Sequence, residues 1–127
     1  MKVSCTTIED IEEIRTNRYY EDEKEVLKYS LGLQKVFTFK DDKIRAIAMF
    51  FEFYPNCYKC GIILAKDLNP HFLKLLRSWM KEKIKEHNCK RLETEGYCDK
   101  TLERFHKFLG FRKEVEINNG GYVKWVM

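Results

Sequence analysis

Glu93, Glu95 and Tyr97 recur at every second position of one short run, and a period of two places all three on one face of a strand. Carboxylates on such a face can accept a proton or line a cleft for a cationic ligand. A row of solvated strand charges explains them as well. Glu52, at the end of the preceding hairpin, is the other available carboxylate. His106 can give or take a proton near neutral pH, although its place beside Leu102 and Leu109 also suits a half-buried packing histidine. Cys57-Tyr58-Lys59-Cys60 has the spacing of half a zinc site, to which Cys89, Cys98 or His87 could add. There is no second Cys-x-x-Cys and the first pair falls at a hairpin, so unpaired thiols are expected and no metal. Lys74, Arg77, Lys81 and Lys85 form a basic stripe along one helix, either a solvated face or a surface for an anion.

The chain that positions these groups has 127 residues, enough for one apolar core and one domain spanning 1–127. Its 44% hydrophobic content, with six Gly and two Pro, argues against disorder. Five cysteines are odd in number and lack the spacing of a secreted disulfide framework. No apolar run approaches the roughly 18 residues of a membrane span, and Met1-Lys2-Val3-Ser4-Cys5-Thr6 lacks the apolar stretch of a secretion signal. A cytoplasmic location without membrane contact is expected. Residues 1–33 carry five Lys/Arg against eight Asp/Glu, and residues 34–127 carry nineteen against twelve. The acidic start and basic remainder leave room for an anionic ligand, a nucleotide cofactor or a nucleic acid. Nucleic acid is the weaker choice, because the basic stripe lacks interleaved aromatics for base stacking.

Met1 to Cys5 reads as a strand, and Thr6-Thr7-Ile8-Glu9 as a capping box opening a helix with Ile8, Ile11 and Ile14 on one side. A second helix runs from about Asp22 to Leu31, with Gly32 closing it in the left-handed conformation. Lys35–Lys40 and Ile44–Phe53 form a hairpin about Asp41-Asp42-Lys43. Tyr54-Pro55-Asn56 turns into a buried strand from Tyr58 to Ala65, giving three consecutive antiparallel strands. Asn69 as cap and Pro70 at the first helical position start the longest helix, which reaches about His87 and buries Phe72, Leu73, Leu76, Trp79, Met80 and Ile84. Arg91–Tyr97 is a strand, and Asp99 caps a helix from Lys100 to Leu109 that Gly110 closes. Arg112–Ile117 and Tyr122–Met127 form a last hairpin about Asn118-Asn119-Gly120-Gly121. The order is βααβββαβαββ.

That order, with Leu102-Glu103-Arg104-Phe105-His106-Lys107-Phe108-Leu109-Gly110-Phe111 closing the fourth helix, resembles the GNAT acetyltransferase superfamily over essentially the whole chain. The local match is to a helix ending in Tyr-x-Lys-Leu-Gly-Phe. The resemblance implies an α/β (α+β) fold with a mixed, largely antiparallel sheet of six or seven strands and about four helices. It also implies acetyl-CoA as cofactor and transfer of its acetyl group to an amine on a small molecule or protein. Backbone amides near Ile63 and Leu64 would stabilise the oxyanion, Asp99 would stand near the cofactor, and Glu93 or Glu95 would serve as base. His106 takes the place of the tyrosine that protonates the leaving thiolate. The family's glycine-rich pyrophosphate loop corresponds to Ala65-Lys66-Asp67-Leu68-Asn69-Pro70-His71-Phe72, which has no glycine, is shorter, and carries Pro70 and the negative Asp67. Lys66, His71 and Lys74 would then compensate in part. The other outcome of this degenerate loop is a non-catalytic protein of the same fold that binds a partner through its surface. It would be similar to compact bacteriophage GNAT-like proteins, some virion-associated, with the host cytoplasm or the virion as its location.

Overall fold

A computed structural model describes the chain apart from residues 17, 33, 67 and 118–120, and apart from the side chains of residues 18–22, 30 and 117. Asp67 and the Asn118-Asn119-Gly120 turn therefore lie outside the described residues. The elements follow the expected order: β1 Lys2–Cys5, α1 Ile8–Glu13, α2 Arg18–Ser30, β2 Lys35–Lys40, β3 Ile44–Tyr54, β4 Cys57–Leu64, α3 Pro70–Glu86, β5 Arg91–Tyr97, α4 Lys100–Leu109, β6 Arg112–Ile117 and β7 Tyr122–Val126. The seven strands form one mixed, largely antiparallel sheet in the order β1-β2-β3-β4-β5-β7-β6. Two compact units divide the chain: Met1–Phe51 with Gly61–Leu73, and Glu52–Cys60 with Lys74–Met127.

In the first unit β1 pairs with β2 and β2 with β3, both antiparallel. Ile11, Ile14, Leu27, Val36, Ile44, Ile47 and Ile63 make its core, and Phe39 meets Phe72 edge to face at 6.3 Å between ring centroids. The capping box falls one residue later than expected. The Thr6 amide continues the β-ladder by donating to the Val36 carbonyl (3.0 Å), and its hydroxyl lies 2.8 Å from that of Thr38. Thr7 therefore caps α1: its hydroxyl accepts from the Asp10 amide (3.2 Å), while the Asp10 carboxylate accepts from the Thr7 amide (3.0 Å). This rotates Ile8 outward, 50% exposed, while Ile11 and Ile14 stay buried. α2 begins at Arg18, ahead of the expected Asp22. Gly32 does not take a positive φ; among the described glycines only Gly110 does.

In the second unit β4 runs parallel to β5, with Cys57 beside Arg91, Tyr58 beside Leu92 and Lys59 beside Glu93. β7 inserts between β5 and β6 and is antiparallel to both. Cys60 of β4, Leu76 and Met80 of α3, Leu92, Leu109, Phe111, Val123, Trp125 and Val126 are its buried apolar residues among those described. α4 is closed at both ends by local chemistry. Asp99 Oδ1 accepts from the amides of Thr101 (2.8 Å) and Leu102 (3.1 Å), and Gly110 at φ 107° lets its own amide and that of Phe111 reach back to the last carbonyls.

Candidate functional site

The first unit holds the candidates for an anion at the start of α3. A helix presents unsatisfied amides at its N-terminus, and these with the helix dipole favour a phosphate. Here most are spoken for. Pro70 has none, the Phe72 amide donates to Asn69 Oδ1 (2.8 Å), and the Leu73 amide reaches the Asn69 carbonyl (3.4 Å). Just before the helix, the Ala65 amide donates to the Arg45 carbonyl and the Lys66 amide to the Arg15 carbonyl, both at 2.9 Å. His71 keeps the one first-turn amide with no acceptor among the described residues. The side chains of Lys66 and His71 are exposed and make no ion pair among the described residues, and the same holds for Lys74, which belongs to the second unit. Ile63 is buried in the core and Leu64 half-buried.

The second unit holds the carboxylates. Of the expected row, Glu95 and Tyr97 are exposed, and Tyr97 sets its ring at 86° to Tyr122 with centroids 5.6 Å apart. Glu93 is buried and already engaged. Arg91 donates to its Oε1 at 3.0 Å and Lys124 at 2.9 Å, and the same two cations pair with Glu114. Burial pushes the Glu93 carboxyl up, but the hydrogen bonds and charges of Lys124 and Arg91 together outweigh it and hold the group below its usual value. A carboxylate held ionised in this way is a weak base. Glu52 takes part in the β3–β4 turn, accepting from the Asn56 amide at 3.4 Å, and its hydrogen bond with Tyr58 raises that phenol. Arg91, Glu114 and Lys124 were not singled out by sequence. The period-two spacing of Arg91 and Glu93 hinted at the first, but nothing local announces the two contributed by β6 and β7.

His106 lies inside the second unit, 8% exposed, with ring centroids of Trp125 at 5.2 Å and Phe111 at 6.0 Å. A methyl on Gly96 would come 3.3 Å from its Cε1. Its Nδ1 is buried with no hydrogen-bond partner, and burial brings the imidazole from the ordinary 6.5 down to about 4. At neutral pH the ring is uncharged and offers a leaving thiolate no imidazolium proton. Asp99 spends one carboxylate oxygen on the cap of α4. Cys60 is buried and pushed up to about 12 by burial, partly offset by a hydrogen bond with Thr94. Cys89 donates its thiol to the Arg91 carbonyl at 3.3 Å. No group of three metal-ligating side chains occurs among the described residues. In the basic stripe Lys74, Lys81 and Lys85 are exposed, whereas Arg77 lays its guanidinium on the Phe108 ring at 4.4 Å.

Compared by sequence, the chain matches no family model and no curated protein. Compared by structure, it is similar along its whole length to solved acetyltransferases. An acetyltransferase from Bacillus subtilis in complex with CoA superposes with a TM-score of 0.75 at 14% identity, covering 99% of this chain and 97% of that one. A GNAT-family acetyltransferase from Bacillus anthracis gives 0.69 at 14%, covering 98% and 90%, and a spermidine N-acetyltransferase variant from Vibrio cholerae gives 0.67 at 10%, covering 100% and 94%. The chain has the GNAT acetyltransferase fold. Coenzyme A brings a diphosphate; at the start of α3 Pro70 lacks an amide and those of Ala65, Lys66 and Phe72 are engaged, while those of Leu68, Asn69 and His71 have no acceptor among the described residues. No helix is long and apolar enough to cross a membrane among the described residues.

Proposed function

We propose that the protein is an N-acyltransferase that moves an acyl group, acetyl in the simplest case, from a thioester such as acetyl-CoA directly to an amine. The observation that carries this reading is the fold, whose likeness to acetyltransferases runs from end to end of the chain. In the transfer the amine nitrogen attacks the thioester carbonyl carbon, the C–N bond forms and the C–S bond breaks. The amine gives up a proton and the departing thiolate gains one. Glu95 is the proposed proton acceptor, because it is exposed and in no ion pair among the described residues, whereas Glu93 is neutralised by Arg91 and Lys124. Glu95 with Tyr97 also suits an acceptor that arrives as a cation, on a small molecule or a protein. The amides of Ile63 and Leu64 are assigned to the oxyanion, and Lys66, His71 and Lys74 to attracting an anionic donor. Asp99 acts as a helix cap. His106 is assigned to packing, so the thiolate draws its proton from solvent. Incubation with acetyl-CoA and a panel of primary amines, followed by free-thiol release and product mass, tests the reading; no amine-dependent thiol release from any acceptor sinks it.

A second reading has a specific observation behind it. The self-capped start of α3 and the uncharged His106 both suit a non-catalytic protein of this fold acting as a protein-binding or virion-associated factor. Calorimetry separates the two, since this reading requires no binding of acetyl-CoA at millimolar concentration.

A further inference from the structure

We infer that Glu93 is a positioning residue: it draws Lys124 away from Glu95, the residue directly opposite that lysine, and leaves the Glu95 carboxylate open to a substrate amine that arrives as a cation. What Glu95 is kept open for rests on the acyltransferase reading. That it is kept open rests on the pairing of β5, β6 and β7 alone.

In the β5–β7 ladder Lys124 stands opposite Glu95, and Val126 opposite Glu93. Directly opposite side chains of an antiparallel pair start about 5 Å apart, and diagonal ones about 7–8 Å. By register alone Lys124 belongs to Glu95. Its Nζ lies instead 2.9 Å from Glu93 Oε1 and 3.7 Å from Glu114 Oε1, and it makes no ion pair with Glu95. Burial decides the choice. The Glu93 side chain is 7% exposed, and a carboxylate taken out of water must be paired, whereas Glu95 is exposed and solvated. Arg91 donates to Glu93 and pairs with Glu114, so two cations and two carboxylates cancel within the cluster and Glu95 stays outside it. The titratable groups that share the face with Glu95 in the second unit are Glu93 and Tyr97 on its own strand and Lys124 and Tyr122 on β7. Arg91 and Glu114 lie beyond Glu93, and Lys59, beside Glu93 on β4, holds its ammonium 5.6 Å from the Phe53 ring centre. Once Glu93 loses its charge, Lys124 is released toward the carboxylate opposite it. Glu95 then titrates lower, and a cationic amine meets a carboxylate already neutralised.

A double-mutant cycle on the full chain, read as the Glu95 titration midpoint by NMR, tests this, with the folding of each variant checked by its melting curve. In the native background Lys124→Met should move the midpoint by less than about 0.2 units, since salt screens a lysine turned away. In the Glu93→Gln background the same change should raise it by about half a unit, the worth of an exposed ion pair. Equal shifts in the two backgrounds overturn the inference, because loss of the Glu93 charge alone acts on Glu95 with or without Lys124. If Glu93→Gln does not fold, the native background decides: an unmoved midpoint in Lys124→Met upholds the inference, and a rise of about half a unit puts Lys124 on Glu95 already and overturns it. In the transfer assay Glu93→Gln should raise the KM for a cationic amine about threefold, the same half unit expressed as affinity, and adding Lys124→Met should restore it. A KM that ignores both changes overturns the use assigned to Glu95. Absence of transfer to any amine sinks the acyltransferase reading, while the titration cycle still decides whether Glu93 holds Lys124 off Glu95.

Discussion

His106 makes the stability of the protein depend on pH in a window few other groups touch. Its ring is packed against Trp125 and Phe111 with Nδ1 unpartnered, and its pKa falls from the ordinary 6.5 to about 4. Between those values the unfolded chain takes up a proton that the folded chain refuses. Stability is therefore full above pH 6.5, falls as the pH drops toward 4, and levels off below it. Each pH unit is worth about 1.4 kcal/mol, so the whole window amounts to about 3 kcal/mol, and the step from pH 7 to pH 5 to about 2 kcal/mol. Glu93 and Glu103, whose carboxyls are held low, lose their contribution only at more acid pH. Glu23, pushed up by burial, shifts stability in the opposite sense near its own titration. Comparing native protein with His106→Phe cancels these carboxylates, because phenylalanine fills a similar space and cannot titrate. Urea denaturation of both at pH 7 and pH 5 should show the native protein losing about 2 kcal/mol more than the variant, a midpoint shift of about 1 M. Parallel curves for the two would refute the reasoning.

Three further outcomes follow from contacts described above. Asp99→Ala strips the acceptor from the Thr101 and Leu102 amides and should lower stability by about 1–2 kcal/mol in a thermal melt, with Asp99→Asn or Asp99→Ser retaining most of it. Gly96→Ala places a methyl 3.3 Å from His106 Cε1, a ring hemmed in by Trp125, and should cost about 1 kcal/mol by denaturant titration; the cost should vanish when His106→Ala is added. Lys124→Met leaves the buried Glu93 with Arg91 alone, raising its pKa and lowering stability by about 1–3 kcal/mol at pH 7. Carboxyl titration followed by NMR should show Glu93 moving upward in that variant.

The features legible in the sequence were those decided by near neighbours in the chain. Asn69-Pro70 fixed the start of α3 because a cap oxygen and a proline act within one turn, and Asp99 and Gly110 bounded α4 for the same reason. What depended on distant strands was hidden. Thr6 has the chemistry of a cap, but the Val36 carbonyl from β2 claims its amide, and only pairing reveals that. Glu93 looked like an available base until β7, slotted between β5 and β6, delivered Lys124 beside it and β6 delivered Glu114. Arg77 belonged to a basic stripe on the helical wheel, and the Phe108 ring removed it. At the start of α3 the missing amide of Pro70 is legible in the sequence, while the bonds by which Asn69 takes the Phe72 and Leu73 amides show only in the structure.

Acyl transfer itself is the most direct measurement. Purified protein given acetyl-CoA and, separately, S-acetyl-pantetheine with a panel of primary amines should release free thiol in proportion to an acylated amine identified by mass, and Glu95→Gln should slow that release at neutral pH. Thiol release that no amine accelerates, with no acylated product from either donor, would contradict it.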